Sequence, residues 1–338
     1  MNGRSQYLLT SRPKLAIFTR LMKMTNSHNM VWLRKITGLS VILAIVLLLS
    51  GANSNKNVIK QVNQPVISET VAGQVADITD LRQTAQSSIT EPQAEDTQST
   101  IQNLETYYEK RFSSIGVNLL PGTDHREDSS PTPESMRVCN DIVYSAMAAL
   151  PAEHTEKLRD LTLFYTEDGR RGLGGNGEII VRCDNVDNYE LAAVFVHEMG
   201  HITDGSYLKG TKNGEFSGFY DFEVPVTKDD ASSLFYKISW KSEMEKRSNA
   251  KELDFVSQYA ATDPFEDFAE TYTFYRLHGA EFRKLAKSNY LLDRKYRFMK
   301  KYVFANAEFG LTDTAKVSVG QRNYDSTVIP FDLEEFIG

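Results

Sequence analysis

The stretch Leu191 to Asp204, reading Leu-Ala-Ala-Val-Phe-Val-His-Glu-Met-Gly-His-Ile-Thr-Asp, constrains this chain more than any other. It carries His197-Glu198-x-x-His201. On a helix, side chains four residues apart lie one above the other on one face, so both imidazoles reach a common point. Asp187 and Glu190 have the spacing of an N-cap and its reciprocal N3 partner, and the apolar run Leu191 to Val196 is long enough to be buried. Gly200 weakens a helix by about 1 kcal/mol relative to Ala, so its place between the histidines signals close approach by another segment. Two neutral imidazoles suit Zn²⁺, and Glu198, one residue round the helix, is placed to take a proton from a water that the ion polarises. The pattern reads as metal-assisted hydrolysis. The competing reading is a core helix with two incidental histidines.

A catalytic zinc takes three protein ligands and keeps a position open for water. Asp204, at i+3 from His201, would make one short helix supply three convergent groups, so it is read as orienting a ligand instead. A better third ligand lies in the stretch Ser257 to Tyr272. There Asp263 caps a helix, Pro264 takes its first position, and Phe265, Phe268, Ala269 and Tyr272 face the core. Glu266 and Glu270 then share a face, four residues apart. Two carboxylates on an aromatic face need a partner: Glu266 would bind the metal and Glu270 would orient a histidine. The alternative makes Glu266 the capping-box partner of Asp263.

The segment His197-Glu-Met-Gly-His201 with a following Asp204, together with Tyr259 and Glu266-Asp-Phe-Ala-Glu270, resembles the catalytic domain of anthrax lethal factor and its relatives, including the Pro-Pro endopeptidases. These are gluzincins. The resemblance covers about Leu191 to Tyr275. It implies that His197, His201 and Glu266 bind zinc, that Glu198 is the general base, and that Tyr259 helps to stabilise the tetrahedral intermediate. It also places Glu270 behind a zinc ligand. On the residues alone, Tyr259 can donate its hydroxyl to an oxyanion, or it is an ordinary aromatic residue near a helix start.

The rest of the chain frames this centre. An apolar run from Ile36 to Ser50 follows Arg34 and Lys35 and precedes Gly51-Ala52, which suits a signal peptide over residues 1–52, with an uncleaved membrane anchor as the alternative. Lys and Arg dominate the part before it, which keeps the N-terminus cytoplasmic and exports the remainder. Residues 53–100 are rich in Gln, Ser, Thr and Asn and lack aromatic side chains, so they read as a disordered linker or pro-segment. Ile101, Leu104, Tyr108 and Phe112 recur at helical spacing and open a folded domain over 101–338. A net charge of −7 argues against nucleic acid as a partner.

Within that domain Thr132-Pro133 starts a helix whose face is Met136, Cys139, Val143, Met147 and Leu150. Leu161 to Tyr165 and Glu178 to Cys183 are β-prone, and the glycine-rich stretch between them reads as a mobile turn. The strand 178–183 leads into the metal helix, so it is expected at the edge of a small sheet, holding an extended peptide or protein substrate by strand addition; an internal strand is the alternative. Cys139 and Cys183, 44 positions apart (183 − 139), are either bridged or buried as thiols. Helices are expected over about 264–277, 280–288 and 291–304. His28, His125 and His154 are given no role.

The expected architecture is therefore an α+β, zincin-like domain with a small sheet and a mostly helical C-terminal part. The expected function is a secreted or surface zinc endopeptidase, its alternative an exported zincin-fold binding module without turnover. An intact Glu198 favours the enzyme, because binding alone needs no base beside the metal.

Overall fold

The computed structural model describes residues 94–122, 131–166, 169–310 and 320–338. The predicted leader over 1–52 lies outside the described residues, as does the linker up to residue 93, and so do His28 and His125. Helix α1 (Ala94–Ser113) begins ahead of Ile101, so residues 94–100 belong to a helix and not to the predicted linker. Tyr108 and Phe112 are buried and fix its last turns. Once such a turn exists each further residue adds a hydrogen bond at little cost, and that extension needs no apolar side chains.

The chain is α+β. Strand β1 (Asn118–Leu120) precedes α2 (Pro133–Ala148), the short α3 (Ala152–Thr155) and strands β2 (Asp160–Phe164), β3 (Gly172–Gly175) and β4 (Glu178–Arg182). They form one sheet in the order β1-β2-β4-β3, with β1, β2 and β4 mutually parallel and β3 antiparallel to β4. Helix α2 starts as expected: Thr132 accepts the Ser135 N–H at 3.0 Å, and its predicted apolar face is buried.

The sheet order corrects the expectation for strand 178–183. It is internal, because β2 pairs with one side of β4 and β3 with the other. The edge beside the helix that carries His197 and His201 is β3, a run of Gly-Leu-Gly-Gly whose composition reads as a mobile turn. A glycine strand has no alternating side chains to reveal it. Its return into β4 is a two-residue turn at Asn176-Gly177, both with positive φ, which is the backbone a tight hairpin requires.

Helix α4 (Asn188–Ile202) follows β4 and is buried along almost its whole length, continuing into a π-helical turn, Thr203–Tyr207. A hairpin of β5 (Phe216–Asp221) and β6 (Val224–Thr227), helix α5 (Ser232–Ser239) and a small β7–β8 ribbon (Trp240–Ser242, Glu245–Lys246) lead to α6 (Pro264–Leu277). Helices α7 (Gly279–Ser288) and α8 (Tyr290–Phe298) and, near the C-terminus, α9 (Leu333–Ile337) complete the order. Aromatic rings fill the space around α6: Phe268 packs edge-on to Phe235, and Tyr275 stacks on Phe304. Beneath them Lys295 of α8, wholly buried, binds Asp267 at 2.8 Å, and the Trp240 indole N–H donates to the same carboxylate at 3.0 Å. That pair anchors α6 at the residue next to Glu266.

Cys139 of α2 and Cys183, just after β4, are joined by a disulfide. It ties the helical layer to the sheet where the chain turns toward α4. Among the described residues no helix is long and apolar enough to cross a membrane.

Candidate metal centre

Two helices build the centre. Asp187 caps α4 by accepting the Glu190 N–H at 2.8 Å. Its predicted reciprocal bond is replaced, because the Glu190 carboxylate turns to Arg171 at 2.9 Å. Asp263 caps α6 by accepting the N–H groups of Phe265 and Glu266, each at 2.9 Å, with Pro264 in the first position. With its backbone N–H donated to the Asp263 cap, Glu266 leaves its side chain free to face α4.

The two helices meet at Gly200. A Cβ there would stand 2.9 Å from the Cα of Ala269, too close for any side chain. This contact lets the carboxylate of α6 reach the imidazoles of α4. Glu266 Oε2 lies 3.2 Å from His197 Nε2 and 3.4 Å from His201 Nε2. One ligand atom from each of the three residues falls within 4.8 Å of the others. Glu266 Oε2 is buried, with the two imidazole Nε2 atoms as its neighbours and no hydrogen bond of good geometry to either. A buried carboxylate oxygen left in that state is costly, and a cation seated among the three groups relieves it. The donor set, two imidazoles and one carboxylate, could hold a metal ion.

On its other side His197 presents Nδ1 to Glu270 Oε1 at 2.9 Å, and Glu270 is fully buried. A carboxylate within reach of Nδ1 is placed to orient the ring with Nε2 toward Glu266. The electrostatics follow from these pairs. Burial works against charge on His197 and His201, but the facing carboxylates prevail and hold both imidazoles above the usual histidine range. Burial also works against charge on Glu266, and the two imidazoles prevail there too, keeping it below the usual carboxylate range.

Glu198 is 6% exposed. Burial raises its carboxyl, which the imidazoles and the Gly174 N–H partly offset. Strand β3 lies directly over it, and a side chain at Gly172 or Gly174 would collide with its carboxylate. The glycines thus bring the edge strand down onto Glu198. Tyr259, on a 3-10 turn (Tyr259–Ala261), donates its hydroxyl to Glu266 Oε1 at 2.9 Å. Burial and the Glu266 charge raise its phenol, so it stays a donor across the physiological range.

Asp204 sits on the π-helical turn below His201. Its carboxylate accepts the Tyr236 hydroxyl at 2.6 Å, and burial pushes it up to about 7. Its strong hydrogen bond goes to α5. His154, given no role from its polar surroundings in sequence, is buried with its ring nitrogens 2.9 Å from the Tyr272 hydroxyl and from the Val303 carbonyl. It is a core residue.

Three features of the centre escaped the sequence: the glycine strand, Arg171 and the segment 322–328. The first had a signal, since Asn-Gly between β-prone runs marks a hairpin. Arg171 binds Asp325 at 2.5 Å, Glu190 at 2.9 Å and the Thr327 hydroxyl at 2.8 Å. The Ser326 N–H donates to Glu270 Oε2 at 2.6 Å. Such backbone donors leave no trace in residue type. No protein-family model, no curated protein and no solved structure matches this chain.

Proposed function

We propose that the chain is a zinc-dependent endopeptidase of the gluzincin type, with a zincin-like fold, acting outside the cytoplasm. The observation that carries the reading is the convergence of the buried Glu266 Oε2 on His197 and His201, 3.2 and 3.4 Å from their Nε2 atoms. Zinc bound by these residues would lower the pKa of a water molecule to around 7 and polarise a substrate carbonyl. The remaining chemistry belongs to the chain. Glu198, raised by burial and enclosed by β3, takes the proton from the attacking water and passes it to the leaving amine. Tyr259 donates its O–H to the oxygen on which charge develops, exchanging its bond to Glu266 for one to the substrate. Glu270 keeps His197 oriented.

The edge of β3 suits an extended peptide added antiparallel or parallel to it, which takes over the role first expected of strand 178–183. The Cys139–Cys183 bridge supports an oxidising, extracytoplasmic setting. A digest of a broad peptide library by the zinc-loaded 338-residue chain tests the proposal. Defined cleavage is expected, abolished by Glu198→Gln and by a chelator, and reduced on the order of 10²-fold by Tyr259→Phe. Undiminished cleavage by Glu198→Gln would sink the mechanism. Full zinc occupancy with no cleavage across the library would favour a binding module.

A further inference from the structure

The segment Arg322 to Val328 touches the centre at several points, and none of them is a zinc ligand. The Ser326 N–H holds Glu270 Oε2 at 2.6 Å, and the opposite oxygen of Glu270 faces His197 Nδ1 at 2.9 Å. Two residues earlier, the Tyr324 carbonyl accepts the Tyr259 N–H at 2.7 Å. The Asn323 and Arg322 carbonyls accept the Gln258 backbone and side-chain N–H groups, at 2.9 and 2.8 Å. One short stretch of backbone thus fixes the residue behind His197 and the turn that carries Tyr259.

What fixes the stretch itself is Asp325, 1% exposed. Its Oδ1 accepts the N–H groups of Thr327 and Val328 at 3.0 and 3.2 Å, a turn that sets the direction of the intervening peptides. Its Oδ2 is held by Arg171 at 2.5 Å. Arg171 immediately precedes β3 and also grips Glu190 in the first turn of α4. A continuous path therefore runs from Arg171 through Asp325, the Ser326 N–H and Glu270 to His197.

We infer that Asp325 and Arg171 are positioning residues of the metal centre, acting through the Ser326 N–H to hold Glu270 against His197. The inference rests on the zinc reading of His197, His201 and Glu266. The Ser326 N–H is the hydrogen bond of good geometry that holds the buried Glu270 carboxylate; without it the carboxylate turns away from His197, and the imidazole loses the neighbour that aims Nε2 at the metal. The effect falls on zinc affinity, which is measured without any substrate.

The test is a double-mutant cycle in the 338-residue chain, with zinc affinity read by competition against a chromophoric chelator and folding by circular dichroism and urea midpoint. Asp325→Asn keeps the size and removes the charge. It should weaken zinc binding about 10-fold or more, in the range found for residues that orient a ligand. Arg171→Gln should act in the same direction. Glu270→Ala should weaken binding by at least as much, and Asp325→Asn added to Glu270→Ala should change it no further, because the path is already cut. Full additivity of the two substitutions overturns the inference, as does wild-type affinity in a folded Asp325→Asn. Loss of fold in both Asp325→Asn and Arg171→Gln overturns it too, assigning the cluster to general stability. A wild-type chain that binds no zinc removes the metal reading itself, an outcome distinct from all of these.

Discussion

Gly200 rests on Ala269 so closely that a Cβ added to it would lie 2.9 Å from the Ala269 Cα and 3.2 Å from its Cβ. The obstacle is backbone, which cannot swing aside as a flexible side chain would. Gly200→Ala gains up to about 1 kcal/mol in helix propensity, but overpacking a tight contact costs about 1–3 kcal/mol. The expected outcome is a net loss of stability on the order of 1 kcal/mol and weaker zinc binding, because α4 and α6 separate. Urea midpoints and chelator competition check it. A variant more stable than wild type with unchanged zinc affinity would show that the helices do not need this approach.

Glu266 brings the only carboxylate to within reach of both imidazole Nε2 atoms among the described residues. Glu266→Ala should therefore leave the purified chain without stoichiometric zinc, while Asp263 continues to cap α6 through backbone donors. Metal analysis of the two proteins decides the point. Equal zinc in both would exclude Glu266 as an important ligand.

His278 is 3% exposed, among the rings of Phe274 and Phe331, and burial pushes its imidazole down to about 4. Its folded pKa lies below the unfolded value of about 6.5, so its contribution to stability is intact above pH 6.5 and is lost as pH falls toward 4. The full loss is on the order of 3 kcal/mol, at about 1.4 kcal/mol per pH unit. His278→Leu should flatten the decline of stability between pH 6.5 and 4 by that slope. His154, also lowered to about 4 by burial, keeps its own share of the decline. Urea midpoints at pH 7, 6 and 5 test the difference, and parallel profiles for variant and wild type would refute it.

The Cys139–Cys183 bridge closes 44 positions of chain. In the chain-entropy account a loop of that length contributes about 3–4 kcal/mol by restricting the unfolded state. Reduction, or replacement of both cysteines by serine, should lower the thermal midpoint accordingly while zinc stoichiometry persists. An unchanged midpoint after verified reduction would remove this stabilisation.

Much of the centre was legible because its parts advertise themselves through side chains at fixed spacing. The cap at Asp187, the cap and proline at Asp263-Pro264, and the i, i+4 pairs in both helices each follow from local rules, and the structure has helices there. Where the sequence misled, the information lay in the backbone. Strand β3 has three glycines in four residues, so no periodicity marks it, and without β3 the neighbouring β4 looked like an edge. Ser326 contributes an amide that any residue except proline would supply. His154 has polar neighbours in sequence, whereas its neighbours in space are Tyr207, Tyr272 and Phe304.

His201 and Glu266 are 65 positions apart along the chain (266 − 201), while the two histidines share a single turn of helix. The histidine pair therefore forms on the timescale of helix growth, roughly a microsecond or less. The carboxylate arrives only after a long loop has closed and α6 has docked, which is a far slower event. An ion present during refolding meets two donors first and the third last. Capture should accordingly show a fast, weak phase and a slow phase that keeps pace with the burial of Trp240, whose indole is tied to Asp267 beside the arriving glutamate.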